Sequence, residues 1–458
     1  MLAPATLAQH ISSLQPTMDP QLLAVRRAQK ERFEAQKRAS VGAPAAATDS
    51  STTSAVKKPI LPASSASSGE SIQTSSSRKA SSSRLLEGMP PELLNAPISS
   101  LLADGPPPQP ATKRPRIDGP EALHVPKGRT AEIKKLLAQP PPQDIRILSW
   151  NIDGLDEVGG PRALMLRTLE VGVAVAKHRP AVVLLQEAVP PALQLLSAPE
   201  VLGNDYEFVV PEDPRMPYYV AILYDKRVAK MVGKSEVAFP TTQMGRQLLS
   251  VTFEFLGCSA PPVVVCTAHL ESTKDHTAER KKQLATSFRY LRQALQTGKN
   301  GAALLAGDLN IRDEEVKSVQ KELGAQAKDI ADAWLFCGAQ EHERWTWDTD
   351  ANDNLEVAFR CKTRFDRMFF LSPGISDKAT ATPKPKAKAN GASKLVEAPQ
   401  LPQGHLQAEA WRPLRFSLIG KERVPDLGRF PSDHWGLLTS WSFHSSQTLA
   451  RKQMTTLA

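Results

Sequence analysis

The sequence predicts an α/β domain behind a long disordered arm, and three observations carry that reading. Of the 7 Trp, 5 Tyr and 14 Phe in this chain of 458 residues, only Phe33 falls before residue 141. The first 140 residues instead hold 19 Ser, 17 Pro and 21 Ala, a mixture that cannot bury enough apolar surface to offset chain entropy. From Asp144 onward, short apolar runs of strand length alternate with longer helical patterns, as an α/β domain requires. Most of those runs end on polar residues, which places chemistry at strand ends.

Taken in order, IRILSW (Ile145 to Trp150) reads as a strand, and Arg162 to His178 as a helix stopped before Pro180. AVVLLQE (Ala181 to Glu187) is apolar on both faces, as a strand buried on two sides must be. Further strands are expected at Tyr218 to Tyr224, Leu248 to Phe255, Val263 to Ala268, Ala302 to Ala306, Arg364 to Phe370 and Gly436 to Trp441. The helix from about Thr277 to Leu295 sets Leu284, Phe288, Leu291 and Leu295 on one stripe, which packs it onto a sheet. From Ser372 to Arg412 the chain is rich in Ala, Pro and Lys and shows no clean period, between the strand-like RFDRMFF and RFSLI. It reads as a mobile insertion within a domain spanning 141–445, with a domain boundary as the second reading and a short tail at 446–458.

The formal charge of +9 divides unevenly: residues 1–140 carry 18 Lys+Arg against 11 Asp+Glu, and the remainder 39 against 37. Any nucleic-acid site in the domain must therefore be a local patch. No run of 18 apolar residues occurs, and the N-terminus lacks a basic start followed by an apolar core, so membrane and secretory readings fail and an intracellular protein is expected. Cys258, Cys266, Cys337 and Cys361 show neither CxxC spacing nor a nearby His pair, which argues against a zinc ribbon and predicts reduced thiols.

Polar residues terminate five apolar strands: Asn151 and Asp153 after RILSW, Glu187 after VVLLQ, His269 after VVVCTA, Asp308 and Asn310 after ALLAG, and Asp433 with His434 before WGLL. A carboxylate at the end of a buried strand is costly unless it is paired, hydrogen-bonded or bound to a cation, and several together argue for a metal. Singly, Asp308 is also a turn residue, Glu187 a surface carboxylate and His434 a satisfied core histidine; as an ordered set they suit hard-oxygen coordination of Mg²⁺ or Mn²⁺ and phosphodiester hydrolysis. Asp308 would deprotonate the attacking water, while Asn or protonated His donors hold the charge growing on phosphoryl oxygens.

In that same order WNIDGLD, LLQEAV, TAHLEST, GDLNIRDEEV, WTWDT, RFDRMFF and FPSDHWGLL resemble the endonuclease/exonuclease/phosphatase superfamily, from about Asp144 to Phe443. WN, QE, GDxN and SDH are shared across its branches; NIDGLD, HLEST, the IRD after GDLN, TWDT, RFDR and PSDHWG are similar to its tyrosyl-DNA phosphodiesterase branch. The resemblance implies a four-layered DNase I-like β-sandwich flanked by helices. It also implies one Mg²⁺, for which Mn²⁺ substitutes, held by Glu187 and assisted by Asp153, often through water. Asp308 would be the catalytic base, Asn151 and His434 would bind the scissile phosphate, and Asp433 would orient His434. Substrate contacts are implied along Asn151, Ile152, Asp153, Gly154 and Leu155, along His269, Leu270, Glu271, Ser272, Thr273 and Lys274, and at Asn310, Ile311 and Arg312. Trp347 aligns with the aromatic that packs against the end of the DNA. Leu309 departs from the family, which often has Thr there.

The implied activity is hydrolysis of the bond between a topoisomerase-derived tyrosine and a DNA 5′ phosphate, leaving a ligatable end in double-strand break repair. The enzyme would act as a monomer on DNA 5′ ends carrying a tyrosyl or peptide adduct. The alternatives are an abasic-site endonuclease, a phosphoinositide phosphatase, or an inactive scaffold that holds DNA ends. KRPR (Lys113 to Arg116) in the arm predicts nuclear localisation, and the arm is expected to be dispensable for chemistry. The insertion's six Lys+Arg against three Asp+Glu would attract phosphate if it lay near the DNA path.

Overall fold

The computed structural model describes residues 126–214, 216–297, 299–355, 360–373 and 410–444. Residues 1–125 with KRPR, most of the lysine-rich insertion and the tail from 445 lie outside the described residues.

Two six-stranded sheets face each other. The first holds β1 (Ile145–Asn151), β2 (Val182–Ala188), β3 (Tyr206–Val209), β4 (Tyr219–Asp225), β13 (Ala410–Ile419) and β14 (Gly436–His444), in the order β13-β14-β1-β2-β4-β3. The second holds β5 (Ala229–Ala238), β6 (Gln247–Phe255), β7 (Val263–Ala268), β8 (Ala302–Asp308), β9 (Ala331–Asp332) and β12 (Asp366–Leu371), in the order β5-β6-β7-β8-β12-β9, while β10 (Trp347–Asp348) and β11 (Lys362–Thr363) pair with each other. Each sheet has one parallel pair at its centre, β1 with β2 and β7 with β8. A parallel pair needs a crossover. Helices α2 (Gly160–His178) and α4 (Thr277–Thr297) supply the two crossovers. Helices α1 (Lys127–Leu137) and α3 (Pro190–Leu196) join α2 over the first sheet, and α5 (Asp313–Leu323) joins α4 over the second. The expected four layers are thus present.

The apolar alternation explains the layering. Ile147, Leu184 and Ile222 meet Val251, Val265, Leu304 and Phe370 between the sheets. Their neighbours Leu148 and Leu185 face Leu169 and Val173 of α2, and Cys266 and Leu305 face Leu284 and Phe288 of α4. Because β1, β2, β7 and β8 are buried on both faces, they read as continuous apolar runs. Their carboxyl ends all reach one edge of the sandwich. The antiparallel β12 and β14 start at that edge, with Asp366 opposite Asp308 in register. Among the described residues no helix is long and apolar enough to cross a membrane.

Three expectations are corrected. The arm expected over residues 1–140 does not reach residue 140: α1 buries Ile133 and Leu137, and Arg179 donates hydrogen bonds to the carbonyls of Leu137 (3.0 Å), Leu136 and Gln139 at its end. The insertion ends before Ala410, because Trp411 and Arg412 pair with β14. β5 is a strand the sequence reading lacks: it is an edge strand with half of its residues exposed and only Ala229 buried, so it has no apolar run of the kind that marks the inner strands. A chain starting at residue 126 is accordingly expected to keep the full melting temperature, and one starting at 143 to lose several degrees; burial of Ile133 alone is worth about 2–5 kcal/mol. Equal melting temperatures for the two truncations would show that α1 does not stabilise the domain.

Candidate active site

The strand ends deliver the site. Asn151 closes β1, and its amide Nδ2 donates to Glu187 Oε1 (3.2 Å) at the end of β2 and to Asp308 Oδ2 (3.0 Å) at the end of β8. One side chain therefore bridges both sheets. The N–H of Asp153 donates to Asn151 Oδ1 (2.9 Å), and the N–H of Asn310 to Asp308 Oδ1 (3.0 Å). Asp153, Glu187 and Asn310 hold φ of 47°, 50° and 48°, left-handed values rare outside glycine. Gly154 is required beside them, since a Cβ there would lie 2.3 Å from the Glu187 carbonyl oxygen.

His434 enters from the turn before β14. Its Nδ1 lies 2.7 Å from Asp366 Oδ2, which also accepts the Thr346 hydroxyl at 2.6 Å, and its Nε2 faces Asp308 Oδ2 at 3.8 Å. Ser432 secures the approach, donating from Oγ to the Asn151 carbonyl (2.6 Å) and accepting the His434 N–H (3.0 Å). Burial opposes a charge on His434, but the carboxylates of Asp366, Asp433 and Asp308 outweigh it and hold the imidazole well above its ordinary range. It is an imidazolium at neutral pH.

His269 is its opposite. Burial, then Arg246 and His434, hold it well below its ordinary range, so it is neutral. Arg246 Nη1 lies 3.0 Å from Nδ1 and Nη2 3.5 Å from Nε2; because a guanidinium only donates, the shorter contact makes Nδ1 the acceptor and leaves the proton on Nε2. Nε2 lies 3.3 Å from Asp308 Oδ2. Burial also pushes the Asp308 carboxyl up to about 7, with Asp366 adding to the rise and His434 and Asn151 opposing it.

The groups fit a divalent cation. Asp153 and Glu187 are both raised by burial and then by the charge of Asp433, a crowd of carboxylates that a bound cation relieves. Glu187, His269 and Asp308 place one ligand atom each within 4.8 Å of one another, as do Asp308, Asp366 and His434. The Nδ1 of His269 is taken by Arg246 and that of His434 by Asp366, which leaves the carboxylate oxygens as the available donors, a hard set. The Asp153 carboxylate sits outside both tight clusters, 3.7 Å from Arg167, and reaches the Glu187 side through its charge.

Beyond the carboxylates, two surfaces flank the site. On one side a shallow pocket is lined by Met216, Tyr218, Val220, Arg246 and His269, with the Arg246 guanidinium 5.1 Å from the Tyr218 ring centre. On the other, half-buried Trp347 and Phe365 lie 5.7 Å apart, and Arg312 caps the Phe365 ring at 5.7 Å.

The family model described as the Endonuclease/Exonuclease/phosphatase family matches residues 148–434. The chain belongs to that family. Curated members similar to it include Tyrosyl-DNA phosphodiesterase 2 of Rattus norvegicus, 36% identical over 294 residues, and that of Gallus gallus, 36% identical over 292. These alignments cover 64% of this chain and 66% and 65% of the relatives, so the chain spans just under two thirds of their length. Among solved structures, D. rerio TDP2 complexed with single strand DNA product is 32% identical with a TM-score of 0.51, covering 66% of this chain and all of that one. A humanized D. rerio TDP2 is 31% identical with a TM-score of 0.50, covering 65% and 99%.

Within this endonuclease/exonuclease/phosphatase fold the implied residues separate into three groups. Asn151, Glu187, His269, Asp308 and His434 converge as described. Ser272, Thr273, Lys274, Asn310, Arg312 and Trp347 are at least partly exposed around them. Ile152, Leu155, Leu270 and Ile311 are corrected: their side chains are buried in the two outer cores, so they offer a substrate only backbone. Glu271 is corrected too, since its carboxylate turns away to accept the Thr242 hydroxyl (2.6 Å) and the N–H groups of Gln243 and Met244 (2.7 and 3.1 Å). The carboxylate that orients His434 is Asp366. Asp433 lies 3.9 Å from Nε2 and instead accepts the Trp347 indole N–H at 3.2 Å. Asp366 stands in the RFDR motif; Arg246 and Tyr218 stand in no motif at all.

Proposed function

We propose that this chain is a Mg²⁺-dependent 5′-tyrosyl-DNA phosphodiesterase acting in double-strand break repair. The observation that carries the proposal is the arrangement of unlike surfaces on the two sides of one hydrolytic centre. The aromatic step of Trp347 and Phe365 suits the bases of a DNA end, and the Tyr218 and Arg246 pocket suits a phenolic leaving group. The relatives' names and the solved complex with single-stranded DNA support the same substrate.

A divalent cation at Glu187, with Asp153 behind it, would neutralise a phosphate oxygen. Asp308 takes the proton of the attacking water. The His434 imidazolium, fixed by Asp366, donates to a phosphoryl oxygen as charge grows there. The neutral His269 donates from Nε2 and keeps Asp308 oriented, and Arg246 behind it favours a departing phenolate. Substrate entry trades one of the two Asn151 amide bonds for a bond to phosphate.

Purified protein assayed with Mg²⁺ on a 5′-phosphotyrosyl oligonucleotide, an abasic-site duplex and a phosphoinositide tests the reading. Preference for either of the latter two would overturn it. Trp347→Ala is expected to weaken use of the phosphotyrosyl oligonucleotide by about 1–3 kcal/mol of lost stacking while sparing a small chromogenic phosphodiester. Equal losses on both would mean that the indole supports Asp433 and the fold rather than the DNA end.

A further inference from the structure

Two loop segments implied to face phosphate, 269–274 and 310–312, share a backing made of one largely buried ion pair. We propose that Arg280 and Glu315 are positioning residues that fix the spacing of these segments for successive phosphates of a DNA strand; the proposal rests on the substrate reading above.

Arg280, in the first turn of α4, is completely buried. Its Nη1 donates to the carbonyls of Glu271 (2.9 Å) and Thr273 (2.8 Å). Its Nη2 donates to Thr277 Oγ1 (3.1 Å) and to Glu315 Oε1 (2.6 Å). Glu315 stands in the first turn of α5, and its Oε2 accepts the backbone N–H of Arg312 at 2.7 Å. One guanidinium and one carboxylate thus run from the loop after β7 to the residue that starts α5. Nearer the catalytic base the Leu270 N–H donates to the Asp308 carbonyl (3.0 Å), and the ion pair carries the connection outward.

Two features argue for a positional role. Thr273 holds φ at 67°, which is strained for a β-branched residue, and Arg280 grips the carbonyls on both sides of that kink. A buried ion pair also adds little stability over an apolar pair of the same volume, so fold stability alone explains it poorly. What the pair does is tie the loop that carries the partly or fully exposed Ser272, Thr273 and Lys274 to the start of α5, where exposed Arg312 lies over Phe365.

The test uses the full chain with Arg280→Lys and the milder Glu315→Gln, which keeps an acceptor for the Arg312 N–H. Loss of a charge-assisted bond predicts about a tenfold rise in KM for the phosphotyrosyl oligonucleotide, and in Kd for a 5′-phosphorylated oligonucleotide read by fluorescence anisotropy. The turnover number, the Mg²⁺ titration and activity on the nucleotide-free chromogenic ester should stay unchanged. Equal losses on both substrates, or an unchanged oligonucleotide Kd in variants whose circular dichroism is native, would overturn the proposal. A wild-type protein that ignores the phosphotyrosyl substrate would defeat the functional reading instead, while the anisotropy series would still decide the role of Arg280 and Glu315.

Discussion

Asp308→Asn is expected to lower turnover by roughly 10²–10⁴-fold, the usual worth of a positioned general base, while a 5′-phosphorylated DNA end still binds. The substitution keeps size but not acceptor capacity. Asp308 receives the Asn151 amide on Oδ2 and the Asn310 N–H on Oδ1, with His269 Nε2 3.3 Å from Oδ2. An amide offers an oxygen to one side only, so some loss of thermal stability should accompany the loss of turnover. Near wild-type turnover in a folded variant would remove Asp308 from the role of base. Loss of turnover and binding together would point to collapse of the strand-end network instead.

Asp366→Asn is expected to cost about 10²-fold or more and to move the pH profile in a definite direction. Asp366 is foremost among the three carboxylates that raise His434. With it in place the imidazolium persists upward in pH until the raised value is passed. With a neutral amide at 366 the imidazole releases its proton at lower pH, so the basic limb of kcat/KM should shift to lower pH. A loss of rate with an unmoved basic limb would assign the limb to another group and leave Asp366 a purely structural partner of Thr346.

The sequence was informative where burial is two-sided. β1, β2, β7 and β8 stand out as apolar runs because nothing polar is tolerated along them, and for the same reason the polar residues that end them stand out as functional. Asp366 could not be found that way. It lies between two arginines in RFDR, where its charge reads as paired locally, and it meets His434 only through the register that sets it opposite Asp308. Adjacency in the chain favoured Asp433, whose carboxylate points across to Trp347. Ile152 and Leu270 each follow a residue that faces the site, Asn151 and His269, and turn into the outer cores, as Leu155 does one turn further on. In α1 the stripe of Ile133, Leu136 and Leu137 was present in the sequence, but it was diluted by averaging over 140 residues of Ser, Pro and Ala.

The left-handed turn at Glu187 has a consequence for how this protein can be improved. A glutamate held at φ 50° in a ring of carboxylates is a poor choice for folding and a good one for holding a cation. Glu187→Gly removes both penalties at the loss of one 3.2 Å hydrogen bond from Asn151. The inert variant should therefore melt above the wild type in chelator, and the order should reverse once saturating divalent cation is supplied. A selection for heat resistance alone, run on this scaffold without its metal, would drift toward silent enzymes by way of position 187.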